Sequence, residues 1–100
     1  KGRNSVEIRK SVNRARKIQI ERYKRERILF NSALTPNMID RYCSLGEKEE
    51  KLMKDAFDKL SLSARGYHRI LKLARTIADI EASENINLMH LSEALQYRSL

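Results

Sequence analysis

A chain of 100 residues with one proline and three glycines has few places where a helix must stop. Apolar residues recur at helical spacing along most of it, and no segment shows the two-residue alternation of a strand. The pattern predicts an all-α bundle of about five helices, with residues 1–100 forming one domain around one modest core.

The first helix is expected from Ser5 to Arg27. Ser5 is its N-cap and Glu7 lies in its first turn. Ile8, Val12, Ala15 and Ile18 form its apolar side, continued less regularly by Tyr23 and Ile28. Thr35-Pro36 starts a short second helix with Ile39 and Tyr42 inward, and Leu45-Gly46 ends it. The third, about Glu47 to Leu60, opens with Glu47, Glu49 and Glu50 at its positive end. Its stripe is Leu52, Met53, Ala56, Phe57 and Leu60. Ser63 caps the fourth helix, and Leu62 is placed to staple onto Tyr67. Tyr67, Ile70, Leu71, Ala74, Ile77 and Ala78, extended by Leu73 and Ile80, make a face so wide that this helix is central. After a loop over Ala82–Asn87, Asn87 caps a last helix to about Arg98, with Leu88, Leu91 and Leu95 inward.

A phosphate-cradling P-loop needs a glycine followed five residues later by Gly-Lys-Ser/Thr. Five residues beyond Gly2, Gly46 and Gly66 stand Glu7, Lys51 and Leu71. His68 and His90 lie far apart and Cys43 is alone, so neither a metal-ligand set nor an internal disulfide is expected. No apolar run approaches the roughly 20 residues of a membrane span, and no signal-peptide pattern opens the chain. The reading is a cytoplasmic chain that is not an enzyme by itself. Its start at Lys1 without Met fits a fragment of something larger.

The charge is unevenly placed. Residues 1–30 hold 11 Lys and Arg against 3 Asp and Glu, a net of +8, whereas residues 31–100 hold 10 of each. The excess therefore belongs to the first helix and its flanks, with Arg9, Arg14, Arg16, Lys17 and Arg22 as candidates for contact with nucleic acid or a partner. Such a helix can follow a phosphate backbone, lie on an acidic partner surface, or simply be solvated. No aromatic residues are spaced to stack bases, and the solvated reading leads. A self-standing basic module that binds DNA or RNA through residues 1–30 is the alternative to the function reached next.

The run LSARGYHRILKLARTIADIE, Leu62 to Glu81, and the run HLSEALQYR, His90 to Arg98, closely resemble the C-terminal domain of magnesium-chelatase-related AAA+ ATPases of the ComM/YifB type. SVEIRKSVNRAR, Ser5 to Arg16, resembles the start of that domain; Ser5, Ile8, Arg9, Val12, Ala15 and Arg16 fall on its pattern, as do Gln19 and Arg22. The resemblance covers nearly the whole chain. It departs at Leu88-Met89, where Pro-Glu is usual. What it implies is a helical lid beside the nucleotide cleft of an upstream α/β core that holds the P-loop, in a homo-oligomeric, hexameric ring. ATP and Mg²⁺ would be the parent's cofactors, and DNA remodelling its expected work, with insertion of magnesium into a porphyrin less favoured.

The resemblance also aligns Arg65 with the sensor-2 arginine that such a lid offers to the γ-phosphate of ATP, and Arg69 extends the same side. Taken alone, Arg65 is an ordinary surface arginine. Its position is still unusual chemically: a cation at a helix N-terminus is mildly unfavourable for the helix, while the free N–H groups there favour an anion. Gly66 beside it is a poor helix former that leaves room for close approach. Other candidates are read blandly. Arg69 and Lys72 read as a solvated strip, Arg75 and Asp79 as an exposed i,i+4 pair, His68 as partly buried, and His90 as a cap or packing residue. Cys43 reads as a small buried hydrophobe, Met38, Met53 and Met89 as gap fillers, and Tyr67 and Tyr97 as packing residues with a polar tip.

Overall fold

The other elements are arranged around one 17-residue helix, α4 (Ala64–Ile80). The computed structural model describes residues 4–97. Before α4 in the chain come α1 (Ser5–Arg22), a 3₁₀ turn (Asn31–Ala33), α2 (Pro36–Tyr42) and α3 (Glu47–Lys59); α5 (Leu88–Gln96) follows it. Among the described residues none lies in a strand, and the five-helix bundle is the one the periodicity predicts.

α4 buries Ile70, Leu71, Ala74, Ile77 and Ala78. Met53 of α3, Leu91 and Ala94 of α5, Ile39 of α2, and Tyr23, Leu34 and Ile86 from the connections close around them. The edge of Phe57 meets the Tyr67 ring at 5.8 Å between centroids, which joins α3 to α4. Cys43 is fully inside, and burial pushes its thiol up to about 11, so it is a packing residue and not a nucleophile. Pro36 opens α2 as expected. α2 ends at Cys43, however, and Gly46 serves as the N-cap of α3. Asn87 and His90 form a reciprocal capping box on α5, with the far side of the imidazole 2.9 Å from the Glu81 carboxylate. His90 thus occupies the inward position expected for Leu88, which is 39% exposed, and Met89 is not a gap filler but 77% exposed.

α1 departs furthest from its periodicity. Its cap is Asn4, whose side chain accepts the Glu7 N–H at 2.8 Å, so Ser5 is already helical. The buried line is Ser11, Ala15 and Gln19, while Ile8 stands half exposed. The helix stops at Arg22, short of Arg27, because Tyr23 turns into the core against Tyr42 at 4.9 Å. A longer helix would carry Lys24, Arg25, Glu26 and Arg27 into water with nothing apolar to bury before Ile28.

The interface between α1 and α4 is polar. The Asp79 carboxylate is fully buried and accepts two bonds from the Arg22 guanidinium, at 2.6 and 3.0 Å. It also meets Arg75 at 3.1 Å and accepts from the Asn31 amide at 3.0 Å. Asn31 in turn accepts from the Tyr23 hydroxyl at 2.6 Å, and its backbone N–H donates to Gln19 at 2.9 Å. Arg75 and Asp79 are therefore no exposed pair: they are 5% and 0% exposed. Burial works against charge on Arg22, yet its bonds and attraction to Asp79 outweigh that and raise its pKa. Arg75 is shifted down by burial, which the same carboxylate only partly offsets. Its guanidinium also donates to the carbonyls of Ser83 and Glu84, fixing the loop after α4.

That loop leaves α4 through a Schellman turn, with Ser83 N–H donating to Ala78 and Ala82 N–H to Asp79. Ala82 holds the left-handed position at φ 58°. Ala82→Gly should therefore raise stability by about 1 kcal/mol in urea unfolding. Asp79→Ala, which leaves the buried Arg75 and the partly buried Arg22 without their carboxylate, should lower it by about 3–5 kcal/mol in the same measurement.

Candidate functional site

The first turn of α4 is built by Ser63, whose side chain accepts the Gly66 N–H at 3.0 Å. That bond satisfies one of the helix's free donors and starts the helix abruptly. Among the described residues, no acceptor meets the N–H groups of Ala64 and Arg65, and the exposed Arg65 guanidinium has no carboxylate partner. Arg69 is exposed one turn on, equally unpaired among the described residues. Lys72, half buried, donates to the Ser32 carbonyl at 3.3 Å. Spacings of four and three residues place Arg65, Arg69 and Lys72 on one side of α4. The arrangement is a helix N-terminus with unmatched N–H groups and a row of cations, suited chemically to a phosphate or carboxylate.

The five cations of α1 fare differently. Arg9, Arg16 and Lys17 are exposed. Arg14 reaches across and donates to the Ile80 carbonyl at 2.7 Å, satisfying the C-terminus of α4. Arg22 is turned inward onto Asp79, with 17% of its side chain exposed. Because α1 crosses α4 near Asp79 and Ile80, its basic face lies about 21 Å along the helix from Arg65, taking 1.5 Å per residue. The structure does not bring the basic helix and Arg65 into one site.

The sequence reading missed the polar network that sets this spacing. Periodicity gives no signal for it, because Arg75 and Asp79 fall outside the apolar arc of α4 and are buried by the polar side of α1. His68 is half buried as expected, its ring 6.1 Å from that of Tyr67. Among the described residues no group of three His, Cys, Asp or Glu can hold a metal, and no helix is long and apolar enough to cross a membrane.

A strandless bundle centred on a capped, arginine-bearing helix is matched over residues 2–98 by the family model for magnesium chelatase, subunit ChlI C-terminal. The chain belongs to that family. It is 41% identical to competence protein ComM of Haemophilus influenzae over 100 residues, which is the whole of this chain and 19% of that protein. It is 38% identical to the YifB protein of Salmonella typhimurium over 100 residues, and 34% identical to that of Escherichia coli over 99; in both cases the match covers 19% of the relative. The chain thus spans about a fifth of the length of the curated relatives it matches.

Gly66 has a testable consequence within the fold. A Cβ built there would meet only the Ser63 hydroxyl oxygen, at 3.4 Å, which is contact and not a clash. Gly66→Ala should therefore stabilise the chain by about 0.5–1 kcal/mol in urea unfolding, through helix propensity alone.

Proposed function

We propose that the chain is the C-terminal lid of a ring-forming AAA+ ATPase of the magnesium-chelatase-related type, and that Arg65 is its sensor-2 arginine. The observation that carries this reading is the exposed, unpaired Arg65 on the first turn of α4. An arginine there does nothing for the helix, whose N-terminal dipole it opposes, so its use lies outside the domain. Family membership supplies the context, an upstream core with a nucleotide cleft, and ATP with Mg²⁺ as the parent's cofactors. The chain's own donors fit such a ligand: a planar guanidinium beside two unmatched backbone N–H groups suits a phosphate.

When bound, ATP would supply the phosphoryl group transferred to water, and Mg²⁺ would offset charge on its phosphate oxygens. Arg65 would orient the terminal phosphate through its paired N–H donors and offset the negative charge on its oxygens. Ser63 holds the turn that carries Arg65, and the Asp79 network holds the other end of α4 against α1. A ligand seated against Arg65 would thereby act on a rigid helix, and its presence would be passed to the rest of the lid and to a neighbouring subunit of a hexameric ring. DNA remodelling is the work that the resemblance suggests for the whole protein, and one relative is named a competence protein. The self-standing nucleic-acid module has less in its favour, because two of its five cations, Arg14 and Arg22, are engaged within the fold.

The test is ATP hydrolysis by the full-length protein, wild type against Arg65→Ala, with ATP binding measured alongside. Turnover should fall by about two powers of ten or more while the fold is retained. Unchanged turnover would make Arg65 a surface residue and end this reading.

A further inference from the structure

Two depressions lie on either side of the 3₁₀ turn, and Ser32 and Thr76 line both. The larger, about 630 Å³, has a floor of Leu62, Ile70, Leu73 and Ala94, with Arg69 and Lys72 among its lining. The other, about 540 Å³, is walled by Val12, Phe30 and Ile80, with Arg16 among its lining. Every charged residue lining the pair is cationic, and neither holds a carboxylate. For the larger depression composition does not explain this, since its lining comes from residues 31–100, which carry no net charge. A third depression, between α2, α3 and α4, mixes Asp40 and Glu50 with Lys54. From Gly66 to Ile80 the two-part surface runs about 21 Å along α4, the length of a four-turn helix. Phe30, which lines the second depression, stands 37% exposed.

We propose that this face docks an acidic amphipathic segment of a partner protein. Its apolar side chains enter the two depressions and its carboxylates meet Arg16, Arg69 and Lys72. Nucleic acid fits less well. Three cations spread over this length are sparse against a duplex that carries a charge about every 1.7 Å, and the depressions are mainly apolar. A second copy of this chain fits less well too, because its exposed Phe57 and Leu60 lie among Lys54, Asp55, Asp58 and Lys59, which offer no net acidic face to the three cations. Arg69 and Lys72 stand in the same row as Arg65, but Arg65 lines neither depression, so its substitution separates this surface from the nucleotide reading.

The experiment is fluorescence anisotropy of the chain with a labelled 16-residue synthetic helix bearing leucines on one face and glutamates elsewhere. Three comparison probes are used: the same peptide with serine for every leucine, the same peptide with lysine for every glutamate, and a 20-base-pair DNA duplex. Saturable binding of the Glu/Leu peptide is expected, with at least tenfold weaker binding of all three comparison probes. Arg16→Glu with Lys72→Glu should weaken the Glu/Leu peptide at least tenfold, whereas Arg65→Ala should leave it unchanged. Should the double variant fail to fold by circular dichroism, Arg16→Glu alone is used, and a loss of at least threefold is required. Absence of saturable binding, equal binding of the serine peptide or the duplex, indifference to charge reversal, or sedimentation showing that this face joins two copies would each overturn the proposal.

Discussion

A fully buried carboxylate on the central helix sets the rest of this structure. Asp79 without partners would be strongly unfavourable in the core, and it is held by two guanidiniums and an amide. Each partner comes from a different stretch of chain. Arg22 brings the end of α1, Asn31 brings the 3₁₀ turn, and Arg75 ties the same carboxylate to the loop beyond α4 through Ser83 and Glu84. Thr76 and Gln19 take up the remaining donors of Asn31. Apolar packing is indifferent to a small slide of one helix on another, whereas these bonds are directional, so they fix where α1 crosses α4.

The consequence is a division along α4. Its C-terminal half is enclosed by α1, the 3₁₀ turn and the loop at residues 82–84. Its first turns keep Arg65 and Arg69 free, beside a capped N-terminus whose remaining N–H groups have no partner among the described residues. Rigidity at one end and unused polar capacity at the other are what a domain needs if a ligand or a neighbouring domain is to act on it through one helix. The chain covers 19% of the length of the relatives it matches.

Two free surfaces result, and they differ in chemistry. Around Arg65 the donors are planar or backbone N–H groups at a helix terminus, the pattern that suits phosphate. Along the flank of α4 the cations border apolar floors, a pattern that suits carboxylates carried on an apolar scaffold. The basic first helix, with six Lys and Arg against two Glu, serves the fold more than its composition suggests. Arg14 closes the end of α4 and Arg22 closes the core.

The sequence by itself determined the helices and the central place of α4, because a strong 3.6-residue apolar pattern, the Ser63 and Asn87 caps and Pro36 act locally. The long motif from Leu62 to Glu81 likewise placed the chain in its family. Tertiary structure alone decided the fate of the polar residues. Arg75 and Asp79 look like an exposed helical pair until α1 is laid across them, and Arg22 and Arg14 look like free cations until their acceptors arrive from α4. It decided the length of α1 for the same reason, since Tyr23 gains more by entering the core than the helix gains by continuing into water. Periodicity reports which face of a helix prefers to leave water. It carries no information about directional bonds to residues 50 to 70 positions away, and those bonds chose the face that α1 buries.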